Sequence, residues 1–122
     1  VLLLLLAAGP LPTASAQDEL YVANLISNTI TVYSRTADGN VAPLRMIGGP
    51  TTGLSNPVAL AVDTFNNEIV VSNFGNDTIT VYSRTATGNV APLRTIQGPT
   101  TGLSEAEGVA VDPLNNEILV AN

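Results

Sequence analysis

Alternation of apolar and polar residues is the clearest signal along this chain. Thr78 to Arg84 (TITVYSR) places β-branched residues at every second position, the period of a strand with two different faces. Glu68 to Asn73 (EIVVSN) reads as another strand. Val58 to Asp63 (VALAVD) is a third, carrying small Ala side chains, and its counterpart runs from Glu107 to Asp112. Ala91 to Ile96 (APLRTI) is weaker, because Pro92 has no N–H for a ladder and belongs at an edge or a strand start. The segments between them are Phe74-Gly75-Asn76-Asp77, Ala86-Thr87-Gly88-Asn89, Gly98-Pro99-Thr100-Thr101-Gly102 and Asp63-Thr64-Phe65-Asn66-Asn67. All are rich in residues that fix a turn or tolerate positive φ. No stretch carries a helical apolar period of useful length.

These elements recur. Residues 19–67 and 68–116 align without a gap at a spacing of 49, with 32 of the 49 positions identical, and residues 117–122 open a third copy. A closely repeated four-stranded unit predicts an all-β fold of β-propeller blades, each a four-stranded antiparallel sheet. β-Helix coils are much shorter, and sandwiches do not repeat this closely. The Ala-containing strand is expected innermost, where the channel is crowded, and the Pro-containing strand outermost. Read from Glu19, the order begins with the second strand of a blade, a start that suits ring closure by strands from both chain ends. The sequence thus predicts about two and a quarter blades, the N-terminal part of a ring. Such a piece is expected to expose apolar faces, such as those carrying Ile69, Val71, Ile79 and Val81, and to self-associate.

Composition narrows the chemistry. Ten acids against four Arg give a net charge of −6, and the pI is near 4.1. That balance disfavours nucleic acid as a partner, since its recognition needs a basic patch. Cys and His are both absent, which excludes disulfides, Cys/His zinc sites, and a His base or Cys nucleophile within these residues. Ser34, Ser83 and the Thr-rich strands therefore have no base to activate them.

Residues 1–16 read differently. An apolar run from Val1 to Ala8 is broken by Gly9-Pro10 and Pro12, and Ala14-Ser15-Ala16 offers a small-x-small cleavage site before Gln17-Asp18. This predicts the h- and c-regions of a secretory signal peptide, with its basic n-region upstream of the given sequence. The run is far short of the ~20 apolar residues a spanning helix needs, so no membrane span is expected in the mature chain. The expected location is secreted, periplasmic or at the cell envelope.

Pro57-Val58-Ala59-Leu60-Ala61-Val62-Asp63 and Gly108-Val109-Ala110-Val111-Asp112 resemble the P-x-G-I-A-V-D opening of an NHL repeat. Glu19-Leu20-Tyr21-Val22-Ala23-Asn24 and Asn28-Thr29-Ile30-Thr31-Val32-Tyr33 are similar to its continuation, and also to the YVTN-type propeller repeat. The resemblance covers nearly all of residues 19–122. It departs from NHL repeats in the long loop around Gly49-Pro50-Thr51-Thr52-Gly53, and in Ala59 where that family usually has Gly. It implies a six-bladed ring of the TolB-like or SMP-30/gluconolactonase-like kind, with seven blades as the alternative. Its motifs specify packing and turns rather than chemistry.

Candidate site residues are those that break the repeat. Glu105 and Glu107 stand where the first repeat has Asn56 and Val58, just before a predicted innermost strand. Carboxylates suit a hard cation, so Ca²⁺ or another divalent metal is the one cofactor class left open. Glu107-Gly108-Val109 is similar to the Glu-Gly-Pro opening of SMP-30/gluconolactonase propellers, a resemblance that implies one metal-binding Glu, with further ligands outside these residues. Drift between repeats is the simpler reading. Asp63-x-x-Asn66-Asn67-Glu68 and Asp112-x-x-Asn115-Asn116-Glu117 could be calcium loops, but they lack the dense acid spacing and suit a turn better. Arg35/Arg84 and Arg45/Arg94 recur at repeat spacing and are expected to pair with acids of the same or the next blade. Asn24, Asn73 and Asn122 could line a ligand face, with an Asx cap of the following turn as the simpler role.

Two functions follow as expectations. One is an exported propeller that binds a protein, small molecule or carbohydrate through its loop faces, without catalysis in these residues. The other is a metal-dependent lactone hydrolase in which Glu107 is a ligand.

Overall fold

The computed structural model describes residues 18–122, so the expected signal peptide (residues 1–16) lies outside the described residues. Among the described residues nine strands form three antiparallel sheets. The first contains β1 (Glu19–Asn24), β2 (Thr29–Ser34) and β3 (Arg45–Gly48) in that spatial order. The second contains β4 (Pro57–Asp63), β5 (Glu68–Asn73), β6 (Thr78–Ser83) and β7 (Arg94–Ile96), again in sequence order. β8 (Gly108–Asp112) and β9 (Glu117–Ala121) make the third. Meanders of this kind, stacked at a fixed repeat, are propeller blades. β4, rich in Ala, is at one edge of the complete blade and lies against β8 and β1, so the small side chains sit where blades crowd together.

Strand boundaries follow local chemistry. β5 spans Glu68–Asn73 as the sequence predicts. β7 is cut to three residues because Pro92 cannot join the ladder; pairing resumes with Leu93, whose N–H donates to the Val81 carbonyl at 2.7 Å. β6 ends at Ser83, one residue early, although the Arg84 N–H still donates to the Asn67 carbonyl at 3.1 Å in the β5–β6 register. β4 starts at Pro57 across a bulge between Pro57 and Ala59, and β8 starts only at Gly108.

The middle blade is apolar on both faces. Cross-strand partners share a face, so Ile69 and Tyr82 look one way with Val71 and Thr80, while Val70 and Val81 look the other with Ser72 and Ile79. Ile69, Val71 and Tyr82 pack with Ile30, Ile47 and Leu54, against Tyr21 and Ala23 of the first sheet. Val70, Ile79 and Val81 pack with Ala106, Val109, Val111, Ile118 and Val120. Ile69, Val71, Ile79 and Val81 are all fully buried, which corrects the expectation that their faces are exposed. A sheet on each side covers them, and the open apolar positions are elsewhere, at Leu20 and Met46 of the first sheet and Leu119 of the third.

Seams are also tied by hydrogen bonds. Gly88 bridges to β3, with Gly88 N–H to Met46 O at 2.7 Å and Gly48 N–H to Gly88 O at 3.2 Å. The Asn89 side chain accepts from Thr51 N–H (2.9 Å) and Oγ1 (2.8 Å), so Gly49, at φ 129°, lies too close to Asn89 to carry a Cβ. Gly75 replaces the Ile26 of the first repeat for a similar reason: its N–H donates to Ser55 O at 3.0 Å, and a side chain there would strike Ser55 and Asn56. Ile26 has no such neighbour and is almost fully exposed.

Truncating a seam residue should therefore cost far more than truncating a turn residue. Ile79→Ala is expected to lose about 2–4 kcal/mol in urea unfolding, whereas Leu114→Ala stays within about 0.5 kcal/mol. Equal effects would contradict the seam as the core.

Candidate functional site

Strand direction sorts the loops to two ends. At one end lie the β1–β2 and β5–β6 turns and the long linkers before β4 and β8, including Glu105 and Glu107. At the other lie the β4–β5 and β8–β9 turns and the β2–β3 and β6–β7 loops.

Glu105 and Glu107 are both exposed at the first end. Glu105 has φ 49°, matching Asn56 at φ 46° in the preceding linker. Each is pinned the same way: Asn28 Oδ1 accepts the Asn56 N–H at 2.6 Å, and Asp77 Oδ1 accepts the Glu105 N–H at 2.6 Å. Asp77 was not singled out by the sequence, although its signal was available there: Asn28 and Asn56 both become acids one repeat later. The Glu107 N–H donates to Ala121 O at 3.0 Å, extending the β8–β9 pairing by one bond. Among the described residues no three acids gather in a way that could hold a metal ion. Ca²⁺ takes about 6–8 oxygen ligands, so Glu105 and Glu107 would leave most of such a coordination shell to other groups.

The Asp-x-x-Asn segments are turns whose carboxylates are already engaged. Asp63 Oδ1 accepts from Phe65 N–H (3.0 Å) and Asn66 N–H (2.9 Å), and Oδ2 accepts from Asn66 Nδ2 (2.7 Å). Asp112 repeats the set with Leu114 and Asn115. Asn67 and Asn116 then take left-handed φ of 58° and 56°. The Asn66 side-chain amide, with backbone donors, holds the Asp63 carboxyl below its ordinary range, and Asn115 does the same for Asp112.

The arginines divide into two kinds. Arg45 is bidentate to Glu19 (2.6 and 2.8 Å) and reaches across the seam to Arg84 O (2.8 Å). Arg94 is bidentate to Glu68 of its own blade at 2.7 Å on both arms. The hydrogen bonds from Arg45 lower the Glu19 pKa. Arg35 stays exposed, 3.9 Å from Asp18. Its counterpart Arg84 is buried, and Asn67 stands where the first repeat has Asp18.

The asparagine series serves as a strut rather than a ligand face or a cap of the following turn. Asn73 is fully buried; its Nδ2 donates to Thr78 Oγ1 (3.3 Å) and Thr80 Oγ1 (2.9 Å), and its Oδ1 accepts the Ser55 N–H (3.1 Å). Asn24 holds Thr29 and Thr31 alike, and Asn122 accepts the Ser104 N–H. The partner that decides the role comes from the preceding linker, across a separation no local reading reaches.

Among the described residues, hollows lie between blades at both ends. One, of about 530 Å³, is walled by Asp63, Glu68, Arg94, Ile96 and Glu117, at the end opposite Glu105 and Glu107. The other, of about 390 Å³, lies between Asn28, Pro50 and Asn76 at the Glu105 end of the first seam. The end with the larger hollow also carries exposed apolar tips at repeat spacing: Phe65 and Leu114 (80% and 94% exposed), Leu44 and Leu93 (57% and 62%).

Stacked antiparallel meanders of three, four and two strands, with these repeated seams, define a β-propeller. The chain matches the family described as "Lactonase, 7-bladed beta-propeller" over residues 7–120, and it belongs to that family. Its description carries seven blades, the count named above as the alternative to six. The finer NHL, YVTN and SMP-30/gluconolactonase resemblances receive no separate support from this match. A search of curated proteins found no match.

The depressed carboxylates set an acid limb. A carboxyl whose folded pKa lies below its unfolded value near 4 stabilises the fold above that value, and the contribution is lost as pH falls through the folded pKa. Thermal midpoints should be flat from neutral pH down to about 4.5 and fall below about 4. Asp63→Asn should cost about 1 kcal/mol at pH 7 and flatten that acid limb. An unchanged limb would count against the Asp63 turn as its source.

Proposed function

We propose that the chain is a non-catalytic binding sector of an exported lactonase-family propeller, engaging a protein partner through the loop end that carries Phe65, Leu114, Leu44 and Leu93. The supporting observation is that these exposed apolar tips recur at the repeat spacing while most repeated polar side chains are engaged in turns and seams. Regularly spaced apolar tips suit multivalent contact, in which weak sites add through a rigid frame. Catalysis needs a few different groups converging on one spot, and here the polar groups are largely copies holding copies. Export rests on the leader-like residues 1–16.

A second reading follows from the family description, which names lactonases. In it Glu107 is one ligand of a divalent metal, with Glu105 beside it and the remaining ligands supplied from outside the described residues.

One set of measurements separates the two. Phe65→Ser/Leu114→Ser should leave the thermal midpoint unchanged and abolish capture of apolar peptides from a displayed library. No sugar lactone should be hydrolysed, with or without Ca²⁺ or Mg²⁺. Chelator-sensitive hydrolysis lost in Glu107→Gln would instead establish the second reading, and peptide capture indifferent to the double substitution would end the first.

A further inference from the structure

Where β3 of the first sheet meets the end of β6 in the second, two guanidinium groups share one carboxylate. Arg84 lies two residues beyond Tyr82 and faces the same way, into the first seam. It is only 7% exposed. Arg45 approaches it from β3 and donates from Nη2 to the Arg84 carbonyl at 2.8 Å. The carboxylate is Glu19, and Arg45 takes both of its oxygens while the Tyr21 hydroxyl donates to it at 2.8 Å. Arg45 chiefly holds the Glu19 carboxyl below its ordinary range, and the Arg84 charge adds a smaller pull, so Arg84 is near this acid without pairing to it. The ion pairs among the described residues are Arg35–Asp18, Arg45–Glu19 and Arg94–Glu68, and Arg84 is in none of them. Its Nε is buried with no acceptor, as is the Nε of Arg45.

The repeat shows what Arg84 lacks. Arg35 N–H donates to Asp18 O at 2.7 Å, and one repeat later Arg84 N–H donates to Asn67 O at 3.1 Å. The backbone frame is the same in both copies. In the first, the Asp18 carboxylate stands 3.9 Å from the Arg35 guanidinium; in the second, the matching side chain is a neutral amide. A guanidinium cannot shed its proton to escape this environment. Taking such a charge out of water is costly unless an anion compensates it.

We propose that a small oxyanion, phosphate-like or carboxylate, binds at Arg84 and provides the negative charge that Asn67 does not. The planar fork of Arg84 suits two oxygens of one ion. The neighbouring Arg45 is fixed by Glu19 and lends its field without giving up its own partner. The site lies at the end of the sheets where the β2–β3 and β6–β7 loops are, and an ion held there ties the first blade to the second.

The test is titration of the full chain with millimolar sodium phosphate and sodium acetate, against sodium chloride at matched ionic strength. The thermal midpoint should rise by about 5 °C for each tenfold increase above the dissociation constant. A rise with phosphate alone identifies a tetrahedral ion, and a rise with both identifies a site that also takes carboxylates. Arg84→Met keeps the apolar stem of the side chain and should respond to none of the three salts beyond the chloride baseline. Asn67→Asp builds the carboxylate in, at a φ of 58° that Asp tolerates. It should melt higher than the native chain in chloride and lose the phosphate and acetate response. Calorimetric titration of phosphate and of acetate into the native chain needs no variant and should show one site for at least one of them. Equal midpoints in all three salts, a response that survives Arg84→Met, or no saturable heat with either ion would each overturn the site.

Discussion

Everything in this chain depends on one sheet face being buried by the next. The middle blade has Ile69, Val70 and Val71 in succession, so its strand offers apolar side chains to both sides at once. A strand like that cannot be half solvated, and only a stack of sheets covers both faces. Each fully buried Ile or Val contributes about 1.5–3 kcal/mol relative to exposure, and these faces are completed by residues of the neighbouring sheets and linkers. Cohesion is thus between repeats more than within them, which is why one blade taken alone has little to hold it together.

The polar residues work around that stack. Glu19–Arg45 and Glu68–Arg94 staple the start of a second strand to an outermost strand of the same blade, and Arg45 adds a bond across the seam to Arg84 O. Asp63 and Asp112 close the hairpins at one end, while Asn24 and Asn73 brace Thr ladders at the other. Such groups look like chemistry in a sequence because carboxylates, amides and guanidinium groups are what sites are made of. In this fold they satisfy backbone donors and one another. Membership of a family described as lactonases does not alter that local accounting, since function on a propeller lives in what the loops present.

Legibility tracked the distance over which each residue's partner lies. β5 was readable to the residue, because a β-branched run bounded by turn residues is a local signal. The shortening at β7 was half readable: Pro92 marked the weakness, and the register against β6 set where pairing resumed. Asn73 was misread as a turn cap because its oxygen bonds Ser55, in the linker before its own blade. Asp77 went unnoticed for the same reason, since its meaning lies in Glu105. Ile69 and Ile79 were expected in solvent because counting blades from the ends says nothing of which blade is sandwiched.

The sequence by itself determined the repeat, the strands, the turns and the propeller architecture, because period and turn chemistry are properties of neighbours along the chain. It also determined the limits on chemistry, through the absence of His and Cys. Only the tertiary structure decided which faces are covered, that the asparagines are struts, that the Asp turns are already engaged, and that Phe65, Leu114, Leu44 and Leu93 stand exposed at one end. Those outcomes depend on contacts between repeats. Two nearly identical copies of a sequence carry no mark of which will lie inside the stack.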